Sequence, residues 1–407
     1  MTLRKKAAQG VLWSSIQKFS SQAISFVTFV ILARLLEADD FGLIALATAF
    51  IAFNQLFLDQ GFTQAIIQRE PLEDAHLDTA FWTNLLIGIT LATITITCSD
   101  WVAEFFSQPK LGEIIRWLTL SLIFGALSTV QIALLRRQFR FKEIAIRSFI
   151  ASFISGVVGI VMALNGYGVW SLVVQEITKA LVRVIVLWHV GGWRPKMSYS
   201  TRHLKDLFSF GINVTGLHVL SFFQKRSVDF VIGYFLGPML LGYFHIASRV
   251  LNFLKSLFSS TLNSVSMPVF SRLQNKPERL LNAFYKMTKM TSVLAFPCFF
   301  GVYLLSEELV VTMFGDRWKP IIPILQLLIH VGLLNSLIHP AASLLLGVGQ
   351  AFRRLKLQFI SFLLVLISLF ISVHWGLEAV AAGYALVTYM VFPLWYWAVH
   401  QSVNTEH

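Results

Sequence analysis

The feature that most constrains this chain is a succession of apolar blocks, each long enough to cross a bilayer. A spanning helix takes about 20 residues, and such blocks recur from residue 10 to residue 399 with short polar segments between them. In hydrocarbon every backbone N–H and C=O must be paired internally, so only helices and closed barrels span. The blocks are continuously apolar rather than alternating with period two, which selects helices. Composition agrees: 56% of the 407 residues are hydrophobic and 13% charged, whereas a soluble domain carries about 25% charged residues. The expected fold class is therefore an all-α polytopic membrane protein of about twelve transmembrane helices.

The spans are expected at 10–34, 41–62, 79–99, 112–135, 146–164, 168–190, 208–232, 240–266, 285–305, 321–346, 355–374 and 378–399. The basic start before the first block is read as the lead-in to a retained helix, because the run is long and no small-residue cleavage site follows it. The net charge of +12 is a topology signal. Lys and Arg concentrate in alternate segments: Arg4, Lys5 and Lys6; Arg69; Arg136, Arg137, Arg140, Lys142 and Arg147; Arg194, Lys196, Arg202 and Lys205; Arg272, Lys276, Arg279 and Lys286; Arg353, Arg354 and Lys356. The intervening segments hold few beyond Arg34, Lys110, Arg317 and Lys319. Positive loops stay in the cytoplasm, so both termini are expected there, in an inner membrane. Trp101, Trp170, Trp318 and Trp375 fall near outer ends and Trp188 and Trp193 near an inner end, as interfacial aromatics do.

A weak repeat relates the halves. At an offset of 200, Leu36, Gly42 and Ala47 of LARLLEADDFGLIALA meet Leu236, Gly242 and Ala247 of IGYFLGPMLLGYFHIA. The expected organisation is an N-terminal six-helix bundle over 1–191, a cytoplasmic connector over 192–207 and a C-terminal six-helix bundle over 208–407, related by a pseudo-twofold along the membrane normal. The RHLKDLF stretch of the connector reads as a basic amphipathic helix on the membrane surface.

Charges inside spans are costly and mark cavities or pairs. Lys18 lies in the first span, Asp59 in the second, and Glu176, Lys179 and Arg183 share a face of the sixth. Lys225, Arg226 and Asp229 lie in the seventh, and Arg249 and Lys255 in the eighth. The functional reading is a wet cationic cavity formed by Lys18, Lys179, Arg183, Lys225, Arg226, Arg249 and Lys255, suited to an anionic substrate. Asp59, Glu176 and Asp229 are candidates for ion coupling. The alternative reading is structural: Lys18 and Arg183 reach the interface by snorkelling, and Glu176 with Lys179 and Lys225 with Asp229 neutralise each other. No catalytic residue, metal site or cofactor is expected. His218, His330 and His339 lack metal-ligand spacing, the two cysteines Cys98 and Cys298 sit in apolar blocks, and no Walker A or GxSxG sequence occurs.

The opening GVLWSSIQKFSSQAISFVTFVILARLLEADDFGLIALA, with QREPLEDAHLDTAFW, LLRRQFRFKEIA and GYGVWSLV, resembles the polysaccharide transporter family. These are Wzx-type flippases of the multidrug/oligosaccharidyl-lipid/polysaccharide exporter superfamily, and the likeness points to the colanic-acid and lipopolysaccharide exporter branch. The resemblance implies two six-helix bundles around a cavity. It implies a cargo of oligosaccharide on undecaprenyl pyrophosphate, moved between leaflets by alternating access. Membrane lipids and other polysaccharide-assembly membrane proteins are the implied partners, and some relatives carry two further helices. A drug exporter of the same superfamily is the first alternative, although it would favour acidic cavity residues. A membrane polymerase or ligase is the second, although the outer segments leave little room for chemistry.

Overall fold

The computed structural model describes the backbone of residues 3–59 and 62–404, with side chains at all of these except 3–12, 14–16, 18, 59, 206–220, 257–265 and 404. The described residues form helices joined by short turns, with no strand among them. The chain divides into two compact units, Met1–Tyr234 and Phe235–His407. The first holds α1 (Leu3–Leu35), α2 (Ala38–Asp59), α3 (Phe62–Gln68), α4 (Asp74–Phe105), α5 (Pro109–Leu118), α6 (Leu120–Ala126), α7 (Thr129–Arg137), α8 (Phe141–Leu164), α9 (Val169–Val190) and nearly all of α10 (Thr201–Phe235). The second holds α11 (Gly237–Leu273), α12 (Pro277–Leu304), α13 (Ser306–Phe314), α14 (Ile322–Gly347), α15 (Ala351–Ser372) and α16 (Leu377–Asn404).

Within the described residues, each expected span coincides with a helix or a run of helices. Eight stretches among the described residues are long and apolar enough to cross a membrane by length and composition. Their outward faces expose large apolar side chains such as Leu86, Ile94, Val293 and Met290, which a soluble protein would bury. The protein is a multi-pass membrane protein. Trp101 and Trp375 are strongly exposed, whereas Trp318 is 1% exposed and packs edge-on against Tyr243 at 5.8 Å. Trp318 is thus packed into the core of the second unit.

Three features depart from the hydropathy reading. The stretch expected as one helix over 112–135 is broken into α5, α6 and α7. At the two breaks Thr119 Oγ1 donates to Ile115 O at 2.7 Å and Ser128 Oγ to Phe124 O at 2.9 Å, so each hydroxyl is satisfied by the preceding turn. Second, α3 and α13 are too short to register as spans. The C-terminal end of α3 is held by Arg137, whose Nη1 donates to Ile66 O at 2.7 Å, Ile67 O at 3.2 Å and Arg69 O at 2.7 Å. A cation there satisfies carbonyls that the helix leaves open. Third, the RHLKDLF stretch is not a separate surface helix: it is the first part of α10, helical without a break from Thr201.

α10 packs within the first unit. Phe230 meets Phe50 at 5.3 Å and Phe222 meets Phe53 at 5.4 Å, both edge-on or tilted, while Tyr234 stacks on Phe105 at 4.8 Å. The connector before it is strapped to α4. Asp78, 1% exposed, accepts from Lys196 N–H at 3.0 Å and Ser198 Oγ–H at 2.7 Å. Thr79 Oγ1 accepts from Ser200 N–H at 3.2 Å, and Trp82 Nε1–H donates to Lys196 O at 2.8 Å. Asp78→Ala strands two donors. It is expected to destabilise the strap by about 1–3 kcal/mol, read as faster limited proteolysis within 192–200.

The turn from α8 to α9 is set by glycine. Gly166 and Gly168 have φ of 80° and 53°, a region in which a side chain is strained. This is the GYGVW sequence, and it reverses the chain so that α9 packs along α8.

Candidate functional site: an arginine-lined cavity

The break between α5 and α7 opens a space against α2, α8 and α9. The resulting cavity has a volume of about 340 Å³, near the lower limit of ligand pockets. Its polar wall includes Arg147 of α8, Glu176 and Arg183 of α9, Arg226 of α10, Gln55 of α2 and Ser121 of α6. On α9 the cavity residues Glu176, Ala180 and Arg183 follow one another at four and three residues, a single helical face. Ala180 adds little volume between the two charged side chains.

The charges are not equivalent. Arg226 Nη1 bonds Asp229 Oδ2 at 2.9 Å, and Asp229 is 8% exposed. Glu176 Oε1 is bonded by Lys179 Nζ at 3.2 Å. These pairs largely cancel. Arg147 is buried at 9% exposure, and it lies in the fields of Arg183 and Arg136. Among the described residues no carboxylate lies within 4.0 Å of Arg147 or Arg183. Nε and Nη1 of Arg147 and Nε of Arg183 are buried without a hydrogen-bond partner there. A buried guanidinium with open donors is costly. Planar forks of this kind match phosphate and carboxylate oxygens bidentately, so the cavity is chemically complementary to an anion.

Of the sequence-derived candidates, Arg183, Glu176 and Arg226 come together at the cavity, with Lys179 and Asp229 as their paired neighbours. Lys225 is exposed and lies outside the cavity wall, and the partner of Asp229 is Arg226 rather than Lys225. The side chains of Lys18 and Asp59 lie outside the described residues. Gln17, beside Lys18, donates from Nε2 to Ser148 Oγ of α8 at 2.9 Å. In the second unit Arg249 is exposed and Lys255 half-buried on α11, and His339 of α14 lies in the fields of Lys255 and Arg354. Arg147 was missed. Its place beside Arg140 and Lys142 made it a loop charge, yet it is the seventh residue of α8 and faces inward. The signal that could have found it is the expected span 146–164, which already contains residue 147.

A model of the family described as "Polysaccharide biosynthesis protein" matches residues 31–323. The chain belongs to that family. The succinoglycan biosynthesis transport protein ExoT of Rhizobium meliloti (strain 1021) is 29% identical over 351 residues, 85% of this chain and 70% of that protein. The teichuronic acid biosynthesis protein TuaB of Bacillus subtilis (strain 168) is 27% identical over 402 residues, 97% and 83% of the two chains. Among solved structures, the lipid II flippase MurJ in an inward closed conformation superposes with a TM-score of 0.79 at 14% identity, covering 97% of this chain and 89% of that one. At that identity the likeness shows the fold alone. This polysaccharide biosynthesis family member thus has an all-helical, two-bundle fold.

Proposed function

We propose that this protein is a flippase for a lipid-linked oligosaccharide, carried on undecaprenyl pyrophosphate and moved by alternating access from the inner to the outer leaflet of the bacterial cytoplasmic membrane. Both termini lie in the cytoplasm, and the two compact units, Met1–Tyr234 and Phe235–His407, act as the two moving bundles. The observation that carries the reading is the pair of cavity arginines, Arg147 and Arg183, whose donors are unused by the described protein groups. A pyrophosphate supplies acceptor oxygens in the geometry that guanidinium forks bind. A cavity of about 340 Å³ suits a headgroup rather than a whole glycan. The protein makes and breaks no bond in this role. An excess of arginine in the cavity disfavours a cation exporter, which needs negative charge where its cargo binds.

The test is deletion of the gene followed by separation of the leaflets' lipid-linked saccharides. Accumulation on the inner leaflet with loss of a surface polysaccharide is the expected result. An unchanged surface glycan with no accumulation, in a strain with no second flippase gene, overturns the reading.

A further inference from the structure

The starts of α4 and α10 bring together Glu73, His76 and His203, one acceptor atom of each lying within 4.8 Å of the other two. All three belong to the first unit, outside the arginine-lined cavity. From these residues we infer a binding site for a divalent transition-metal ion, with zinc the best match. The inference does not depend on what the protein carries.

Glu73 and His76 cap the start of α4 reciprocally, the Glu73 side chain accepting from the His76 backbone N–H, but the approach of His203 argues for ligation rather than hydrogen bonding. His203 Nε2 stands 3.6 Å from Glu73 Oε2, beyond the range of a hydrogen bond. Donors at about 2.0–2.1 Å from a tetrahedral zinc lie roughly 3.3–3.4 Å from each other, so this separation needs little adjustment. His203 Nδ1 is buried with no hydrogen-bond partner among the described residues. Neither nitrogen of that ring is therefore committed to a hydrogen bond there. The two imidazoles approach with centroids 4.1 Å apart and planes at 58°. That tilted arrangement lets both rings turn a nitrogen to one point.

The donor set is two imidazoles and a carboxylate. It suits zinc and its first-row neighbours, and it leaves a fourth position for water. Calcium and magnesium prefer oxygen ligands alone. Glu73 N–H lies 3.3 Å from His76 Nδ1. Coordination through Nε2 puts that ring's proton on Nδ1, so this long contact opens when the ion binds. Glu73 is exposed while His76 is 2% exposed, which gives the ion a route in from water and a firm seat beneath. The seat is organised in advance. Glu73 and His76 are three residues apart where α4 begins, and the strap from Asp78, Thr79 and Trp82 holds the chain that leads to His203. An ion here would pin the start of α10, the helix that carries Arg226, to the start of α4.

The full chain, purified with an affinity tag free of histidine and stripped with a chelator, is titrated with zinc against a chromophoric indicator. Cobalt(II) absorption is recorded in parallel. The expected result is one tight equivalent with a tetrahedral cobalt spectrum and a melting temperature that rises with zinc. Glu73→Gln, at an exposed position, and His203→Ala, at a half-buried one, are each expected to weaken binding by more than the roughly 10–100-fold that losing a group hydrogen-bonded to a ligand costs. His330→Ala is expected to leave it unchanged. Affinity equal in wild type and in His76→Ala/His203→Ala, or no tight equivalent in the wild type, overturns the inference.

Discussion

Replacing Arg147 and Arg183 together by alanine is expected to abolish export while leaving a protein that inserts and melts no lower than wild type. Each guanidinium offers charge-assisted hydrogen bonds worth about 1.5–3 kcal/mol to an anion. A factor of ten corresponds to about 1.4 kcal/mol. Each single replacement should thus weaken binding of a pyrophosphate-bearing lipid by roughly 10–100-fold, and the double replacement by about 10²–10⁴-fold. Stability should move the other way or not at all. Neither arginine has a carboxylate within 4.0 Å among the described residues, and Arg147 is only 9% exposed. Removing such a charge relieves desolvation, and Glu176, whose field reaches Arg183, keeps Lys179 as its partner. Arg→Lys at both positions keeps the charge but loses the fork, so partial export is expected. The measurements are complementation of a deletion strain, affinity for the lipid headgroup and thermal melting. Full complementation by the double alanine variant would remove these arginines from the transport path. A large drop in melting temperature would assign them a structural role.

Arg226→Ala and Lys225→Ala, adjacent in sequence, are expected to differ sharply. The first breaks a 2.9 Å bond to Asp229, a carboxylate 8% exposed. Stripping one partner from a buried pair costs about 3–5 kcal/mol, because the remaining charge is left in a poor solvent. Arg226 keeps 30% of its side-chain surface exposed, which places the expected loss near the lower figure. Lys225 is exposed, and its replacement should change stability by no more than about 0.5 kcal/mol. The decisive control is Arg226→Leu/Asp229→Leu, which removes both charges and should recover most of the lost stability. If it melts as low as Arg226→Ala, the pair is not the cause. If Lys225→Ala is as damaging as Arg226→Ala, then Lys225 rather than Arg226 holds Asp229.

The sequence by itself determined the class and the spans. Hydropathy is summed along a continuous segment, and a bilayer imposes one length on every crossing, so within the described residues each of the twelve expected stretches coincides with helix. The resemblance carried by the opening residues and by GYGVW led to the right family for the same reason: it rests on local strings. Tertiary structure decided whatever depends on direction in space. The break of the 112–135 stretch into α5, α6 and α7 beside the cavity is not visible in a continuous run of apolar residues. Arg137 read as a loop charge and caps a seven-residue helix too short to see. Arg147 read the same way and lines the cavity. Asp229 had acceptable partners at three and four residues' distance, and only the side-chain directions chose Arg226. Glu73, His76 and His203 come from segments with no shared spacing, joined by a strap of hydrogen bonds from Asp78, Thr79 and Trp82. A hydrophobic length can be read along a chain, but the surroundings of a charge are assembled from several helices at once.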